Sequence, residues 1–123
     1  MEAEKKIIII VDDNPANLRI GKNVLSEKYT VATAPSAAKL FTILPYNHPS
    51  LILLDVDMPE MDGFEAIKIL KTKQETKNIP IIFLSGMIEP EYEEKGLSLG
   101  ALDFVNKPFD PQKLIECIEK HIL

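Results

Sequence analysis

Residues 7–15 read Ile7-Ile8-Ile9-Ile10-Val11-Asp12-Asp13-Asn14-Pro15: five apolar residues, two acids, an amide and a proline. A short, unbroken apolar run bounded by turn residues predicts a strand buried on both faces, as in parallel sheets covered by helices. Asn14 offers a side-chain acceptor to the free N–H groups of a helix start. Pro15 suits the first turn, where its missing donor is not needed. The stretch therefore predicts a strand, an acidic turn and a helix start.

Working outward, the same alternation recurs. Further strands are predicted at Tyr29–Ala34, Leu51–Leu54, Ile81–Leu84 and Asp103–Asn106. Between them, Ala37, Leu40, Phe41 and Leu44 fall on one helical face at i, i+3, i+4 and i+7. Asp62 with Glu65 resembles a capping box, Asp110-Pro111 repeats the cap-then-proline start, and Glu89-Pro90 is a weaker one. Gly100 is expected to end the fourth helix in a left-handed conformation. The polar stretch 71–78 reads as a helix end and a surface loop, with no repeat or linker beside it. Alternating strands and helices imply an α/β fold, a flavodoxin-like three-layer α/β/α sandwich. Its five-stranded parallel sheet has the expected order 2-1-3-4-5, and ligands bind beyond the carboxyl ends of its strands.

The chain of 123 residues, 46% hydrophobic, has the size and apolar content of one domain, residues 1–123. Its apolar runs are far shorter than the roughly 20 residues a membrane-crossing helix needs, and no charged-then-apolar leader precedes them, so a soluble cytoplasmic protein is expected. A net charge of −5 argues against direct nucleic-acid binding, which needs a basic patch, and invites cations instead. The single Cys117 forms no internal disulfide, and no Cys or His cluster offers zinc-ligand spacing.

Asp12 and Asp13 close the first strand, Asp55 the third and Ser85 the fourth, and Lys107 follows the fifth. In the proposed order these residues meet at one sheet edge. Two like charges 4 Å apart cost about 4 kcal/mol at an effective dielectric near 20, so three carboxylates there need positive charge among them. An all-oxygen cluster of so few carboxylates suits magnesium better than a calcium cage, and Lys107 adds a second positive charge. Each residue alone has a plainer reading: Asp12-Asp13 as a solvated capping turn, Asp55 as a loop acid, Ser85 as a turn serine and Lys107 as a surface lysine. Their joint placement argues against all four.

These motifs resemble the receiver domain of two-component response regulators: Val11-Asp12-Asp13, Asp55-Val56-Asp57-Met58-Pro59 with Asp62-Gly63, Ser85-Gly86, and Lys107-Pro108-Phe109. The resemblance covers essentially the whole chain. It implies that Asp55 is the phosphoacceptor, taking a phosphoryl group from the phosphohistidine of a sensor histidine kinase or phosphotransfer protein, or from acetyl phosphate. It further implies Mg2+ held by Asp13, Asp55 and the backbone carbonyl of Asp57, with Asp12 acting mainly through a water. Lys107 and Ser85 would contact phosphoryl oxygens, Gly86 would leave room for the donor and the hydrolytic water, and Asp57 and Met87 would tune that water's access. Lys107-Pro108 would be a cis peptide, a bond inexpensive only before proline. Such a domain catalyses only its own phosphorylation and dephosphorylation.

The resemblance also makes Phe104 a switch residue that turns inward on phosphorylation, working by packing because it lacks tyrosine's hydroxyl. Its plain alternative is an ordinary core residue. The fourth helix, fifth strand and fifth helix would form the output surface. There Glu91, Glu93, Glu94, Lys95, Asp103, Lys113, Glu116 and Lys120 would pair across a two-fold axis, unless they are simply a solvated charged face. His48 reads as a loop residue, His121 as a chain-end residue and Cys117 as a packed small residue, none with a functional role.

One rival is a haloacid-dehalogenase-type aspartate-based phosphohydrolase, since Asp55-Val56-Asp57 matches its Asp-x-Asp pair. That pair should come first in the chain, however, and here Asp12-Asp13 precedes it. A phosphorylation-independent receiver-like interaction module would lack an acidic or lysine position, and none is missing. A flavin carrier of the same strand order would need a Gly/Ser/Thr-rich phosphate loop where Asp12-Asp13-Asn14 stands.

Overall fold

The computed structural model describes residues 5–122, so residues 1–4 and Leu123 of the expected domain span lie outside the described residues. Five strands alternate with five helices: β1 (Ile7–Val11), α1 (Pro15–Leu25), β2 (Thr30–Ala34), α2 (Ala37–Asn47), β3 (Leu51–Asp55), α3 (Gly63–Thr72), β4 (Ile81–Ser85), α4 (Pro90–Ser98), β5 (Asp103–Asn106) and α5 (Pro111–His121). The strands form one parallel sheet in the order β2-β1-β3-β4-β5. This is the flavodoxin-like arrangement expected from the alternation of elements.

Strand side chains alternate between the two faces, and each face has its own core. Ile9, Val11, Ile52, Leu54, Ile81 and Phe83 pack with Ala37, Leu40, Leu44, Ala66, Ile67 and Leu70 of α2 and α3. Ile8, Ile10, Leu51, Leu53, Ile82 and Leu84 pack with Leu25 of α1 and with Leu114 and Ile118 of α5. Burying a side chain of this size contributes about 1.5–3 kcal/mol, so the three central strands, apolar toward both cores, anchor the domain.

The caps follow local chemistry. Asn14 and Asp110 accept from backbone N–H groups at the starts of α1 and α5, and Asp62 with Glu65 forms a reciprocal capping box at α3. Glu89 makes no side-chain cap, so α4 begins on Pro90 alone, and Gly96 is its one buried residue. Gly100 follows α4 with φ +112°, the left-handed turn expected there. Three boundaries differ from the sequence reading. Tyr29 precedes β2 because its N–H still bonds the Leu25 carbonyl at the end of α1. β3 and β4 each run one residue further, taking Asp55 and Ser85 into the sheet, where Asp55 pairs with Leu84 and Ser85 with Asn106.

Gly63 ties α3 to the end of β3. Its N–H bonds the Val56 carbonyl, and a Cβ there would collide with the Asp55 carbonyl oxygen and lie 3.0 Å from the Val56 Cα. Both obstacles are backbone and cannot rotate away. Gly86, by contrast, has nothing within 4 Å of such a Cβ. Gly63→Ala should therefore lower unfolding stability in urea by about 2–3 kcal/mol, as overpacking does, and Gly86→Ala by less than about 0.5 kcal/mol.

Candidate functional site

The sheet register decides what meets at its carboxyl edge. Val11 lies beside Leu54, so Asp12 leaves the sheet next to Asp55. The Lys107 N–H bonds the Ser85 carbonyl at 2.8 Å, which fixes the start of the loop after β5 against the end of β4. Neighbouring strands are about 4.8 Å apart, so residues leaving β1, β3, β4 and β5 at one level share a small volume.

Within it, Lys107 Nζ lies 2.7 Å from Asp12 Oδ2 and 2.9 Å from Asp55 Oδ1. The Asp12 side chain is 0% exposed, that of Asp55 2% and that of Lys107 18%, so this fork operates largely out of water. Asp12 also accepts from the Asn14 N–H at 2.9 Å and from Asn17 Nδ2 at 3.2 Å. Asp55 Oδ1 accepts from the Asp57 N–H at 3.2 Å. Asp13 is exposed, yet one carboxylate oxygen from each of Asp12, Asp13 and Asp55 lies within 4.8 Å of the others. Ser85 is buried and its Oγ accepts from the Met87 N–H at 2.9 Å, leaving its hydroxyl proton free to donate elsewhere. The Lys107–Pro108 peptide is cis.

Burial pushes the Asp55 carboxyl up to about 7; the hydrogen bond from Lys107 opposes this, and the charge of Asp12 adds to it. Burial works against the Lys107 ammonium, but hydrogen bonds to Asp12 and Asp55 outweigh it and hold its pKa above the ordinary lysine value. Three carboxylates and one ammonium leave a formal charge of −2 when all are ionised. Among the described residues, buried Asp55 Oδ2 has no hydrogen-bond partner. An orphaned buried oxygen costs about 1–3 kcal/mol. A hard divalent cation fits this donor set: it cancels the excess charge and engages the orphan, and all the donors are oxygens.

The response regulator receiver domain profile matches residues 8–119. Among curated proteins, the chain is 39% identical over 115 residues to a "Probable cyclic di-GMP phosphodiesterase" of Vibrio cholerae, covering 94% of this chain and 26% of that protein. It is 38% identical over 104 residues to the response regulator PleD of Caulobacter vibrioides, covering 84% and 23%. The chain thus spans only about a quarter of these two relatives. Chemotaxis protein CheY4 of Vibrio cholerae superposes with a TM-score of 0.90 at 27% identity, covering 96% of this chain and 99% of that one. The chain is a response regulator receiver domain.

In this receiver domain the predicted residues divide into two groups. Asp12, Asp13, Asp55 and Lys107 converge, with Ser85 on the adjoining strand end. Phe104 stands apart on β5, half-buried, its ring 6.2 Å from that of Phe83. On the expected dimer surface three charged residues are already engaged within the chain: Asp103 with His121, Lys95 over the Phe64 ring, and Glu116 with Gln112. No helix among the described residues is long and apolar enough to cross a membrane.

Two features escaped sequence reasoning. Asn17 braces Asp12, and its signal was the position one helical turn beyond the Asn14 cap. The expectation that no Cys or His cluster has zinc-ligand spacing needs correction. Cys117 and His121 sit at i, i+4 on α5, and the fold brings Asp103 against both.

The raised Asp55 carboxyl has a consequence for stability. The native state holds this proton more tightly than the unfolded chain does. Its contribution is therefore full below the ordinary value of 3.8 and is lost as pH rises through about 7. In chelator, the denaturation midpoint of the native chain relative to Asp55→Asn should decline between those values. A pH-independent difference between the two would contradict the burial of this carboxyl.

Proposed function

We propose that Asp55 accepts a phosphoryl group from the phosphohistidine of a sensor histidine kinase or phosphotransfer protein, or from acetyl phosphate, and that the resulting aspartyl phosphate is the signalling state. The observation that carries this reading is the buried Asp55 carboxylate, clamped by Lys107 through Oδ1 and unpartnered at Oδ2.

Asp13, Asp55 and the backbone carbonyl of Asp57 would hold magnesium, with Asp12 acting through an intervening water. When bound, the ion supplies charge neutralisation for the phosphoryl oxygens and favours the ionised, nucleophilic form of Asp55. Asp55 attacks phosphorus in line; the new O–P bond forms as the P–N bond to the donor imidazole breaks, with that electron pair returning to the ring. The Lys107 ammonium offsets charge on the equatorial oxygens, and Ser85 donates its hydroxyl proton to another of them. Open space at Gly86 admits the donor and later the hydrolytic water.

The new dianion competes for Lys107 with Asp12, drawing the lysine and Ser85 toward phosphorus. Phe104, three residues before Lys107, then turns inward and alters the α4-β5-α5 surface, where a second copy would dock as a homodimer. The weak hold on α4, uncapped at Glu89 and buried only at Gly96, supports this as the element that yields. We read residues 1–123 as one receiver domain, cytoplasmic, catalysing only its own phosphoryl turnover and touching neither nucleic acid nor membrane directly. The family match favours neither a haloacid-dehalogenase-type phosphohydrolase nor a phosphorylation-independent module.

Intact mass after incubation with acetyl phosphate tests the acceptor assignment. The native chain should gain one phosphoryl group with magnesium and none without it, and Asp55→Asn should gain none. Lys107→Ala should slow the gain by about 100-fold or more, the scale of losing one preorganised charge partner. A metal-independent gain, or one that survives in Asp55→Asn, would overturn the proposal.

A further inference from the structure

At the opposite end of β5 from Lys107, four residues and about 13 Å away along the strand, a second group of side chains converges. Cys117 Sγ lies 3.4 Å from Asp103 Oδ2, and His121 Nε2 lies 3.0 Å from the same oxygen. One ligand atom from each of the three falls within 4.8 Å of the other two. Cys117 and His121 share a face of α5 at i, i+4, and Asp103 opens the strand against which that face packs.

We propose that Asp103, Cys117 and His121 form a binding site for a zinc-class divalent cation, distinct from the all-oxygen cluster at Asp55. A tetrahedral zinc ion with nitrogen and oxygen ligands near 2.0 Å and sulfur near 2.3 Å separates its ligands by about 3.3 Å (N to O) and 3.5 Å (S to O). The observed 3.0 and 3.4 Å are within a few tenths of an ångström of that, so the ion can enter with little movement of the backbone. The thiolate and carboxylate bring the two negative charges that a divalent ion cancels, and the imidazole binds neutral. On coordination the thiol proton leaves to solvent, and the sulfur electron pair that held it goes to the metal.

The softness of the donors sorts the two sites. Thiolate and imidazole select zinc or cobalt, whereas carboxylates alone suit magnesium. Access is also built in: a cavity of about 370 Å³ lined by Asp103, Asn106, Pro108, Lys113 and Cys117 opens beside the cluster, giving an entry path and room for a water as fourth ligand. The three residues are half-buried, shielded enough to hold an ion and open enough to receive one. Because β5 and α5 both supply ligands, occupancy would pin α5 to the strand that carries Phe104.

Cobalt is the probe, because ligation by thiolate produces a near-ultraviolet charge-transfer absorption. Cys117 is the only cysteine in the chain, so that band reports on this site alone. Cobalt added to the reduced full chain should produce the band together with tetrahedral visible absorption at one ion per chain. Zinc should bleach both and millimolar magnesium should leave them. Asp103→Asn and His121→Ala should each weaken cobalt binding by about 10–100-fold, with far-ultraviolet circular dichroism checking that they fold. In the unsubstituted chain, zinc should shift the ring resonances of His121 and leave those of His48 in place, a test that needs no variant. No charge-transfer band, a band indifferent to both substitutions, or an unmoved His121 ring would overturn the site.

Discussion

The contact on which the proposed phosphoacceptor site depends is the fork that Lys107 makes between Asp12 and Asp55. Its three charges come from β1, β3 and the loop after β5, so they meet only if the whole sheet is in register. Breaking such a buried pair by removing one partner typically costs about 3–5 kcal/mol, because the charge left behind has neither water nor a counterion. Lys107 is thus both a structural tie across the sheet edge and the cation available to a phosphoryl group. Under the proposed function the same side chain could not serve Asp12 and a new dianion equally, and that competition would be the physical basis of the switch.

The rest of the fold sets up that competition. Apolar strands buried on both faces leave no freedom to slip, since a one-residue shift would exchange the two cores. Turns then follow each strand end at the same level, and Gly63 lets the start of α3 close over Asp55 without a side chain between them. Rigidity is uneven, however. α2 and α3 contribute three and five buried residues to their cores, and α4 contributes one glycine. A change at the acceptor would therefore be taken up where packing is thinnest.

Much of this was legible in the residues. Apolar runs ending in Asp12, Asp55 and Ser85 marked both the strands and the edge at which chemistry gathers, capping residues marked the starts of α1, α3 and α5, and Pro90 marked that of α4. The paired charges followed because three carboxylates cannot share a low-dielectric edge without cations. Less visible were contacts set by tertiary packing. Asn17 looked like any polar helix residue, since nothing local says that it faces Asp12. Asp103, Cys117 and His121 are separated by up to 18 residues, and Asp103 joins them only because β5 lies beneath α5. Their i, i+4 half was readable; the carboxylate that completes them was not.

The most direct test of the electrostatic account is a backbone amide NMR titration of the full chain with magnesium. Saturable shifts should concentrate at Asp12, Asp13, Val56, Asp57 and Lys107, report one binding event, and disappear in Asp13→Asn. Shifts scattered over the acidic surface, or a site that persists in that variant, would mean that these carboxylates do not share a divalent ion.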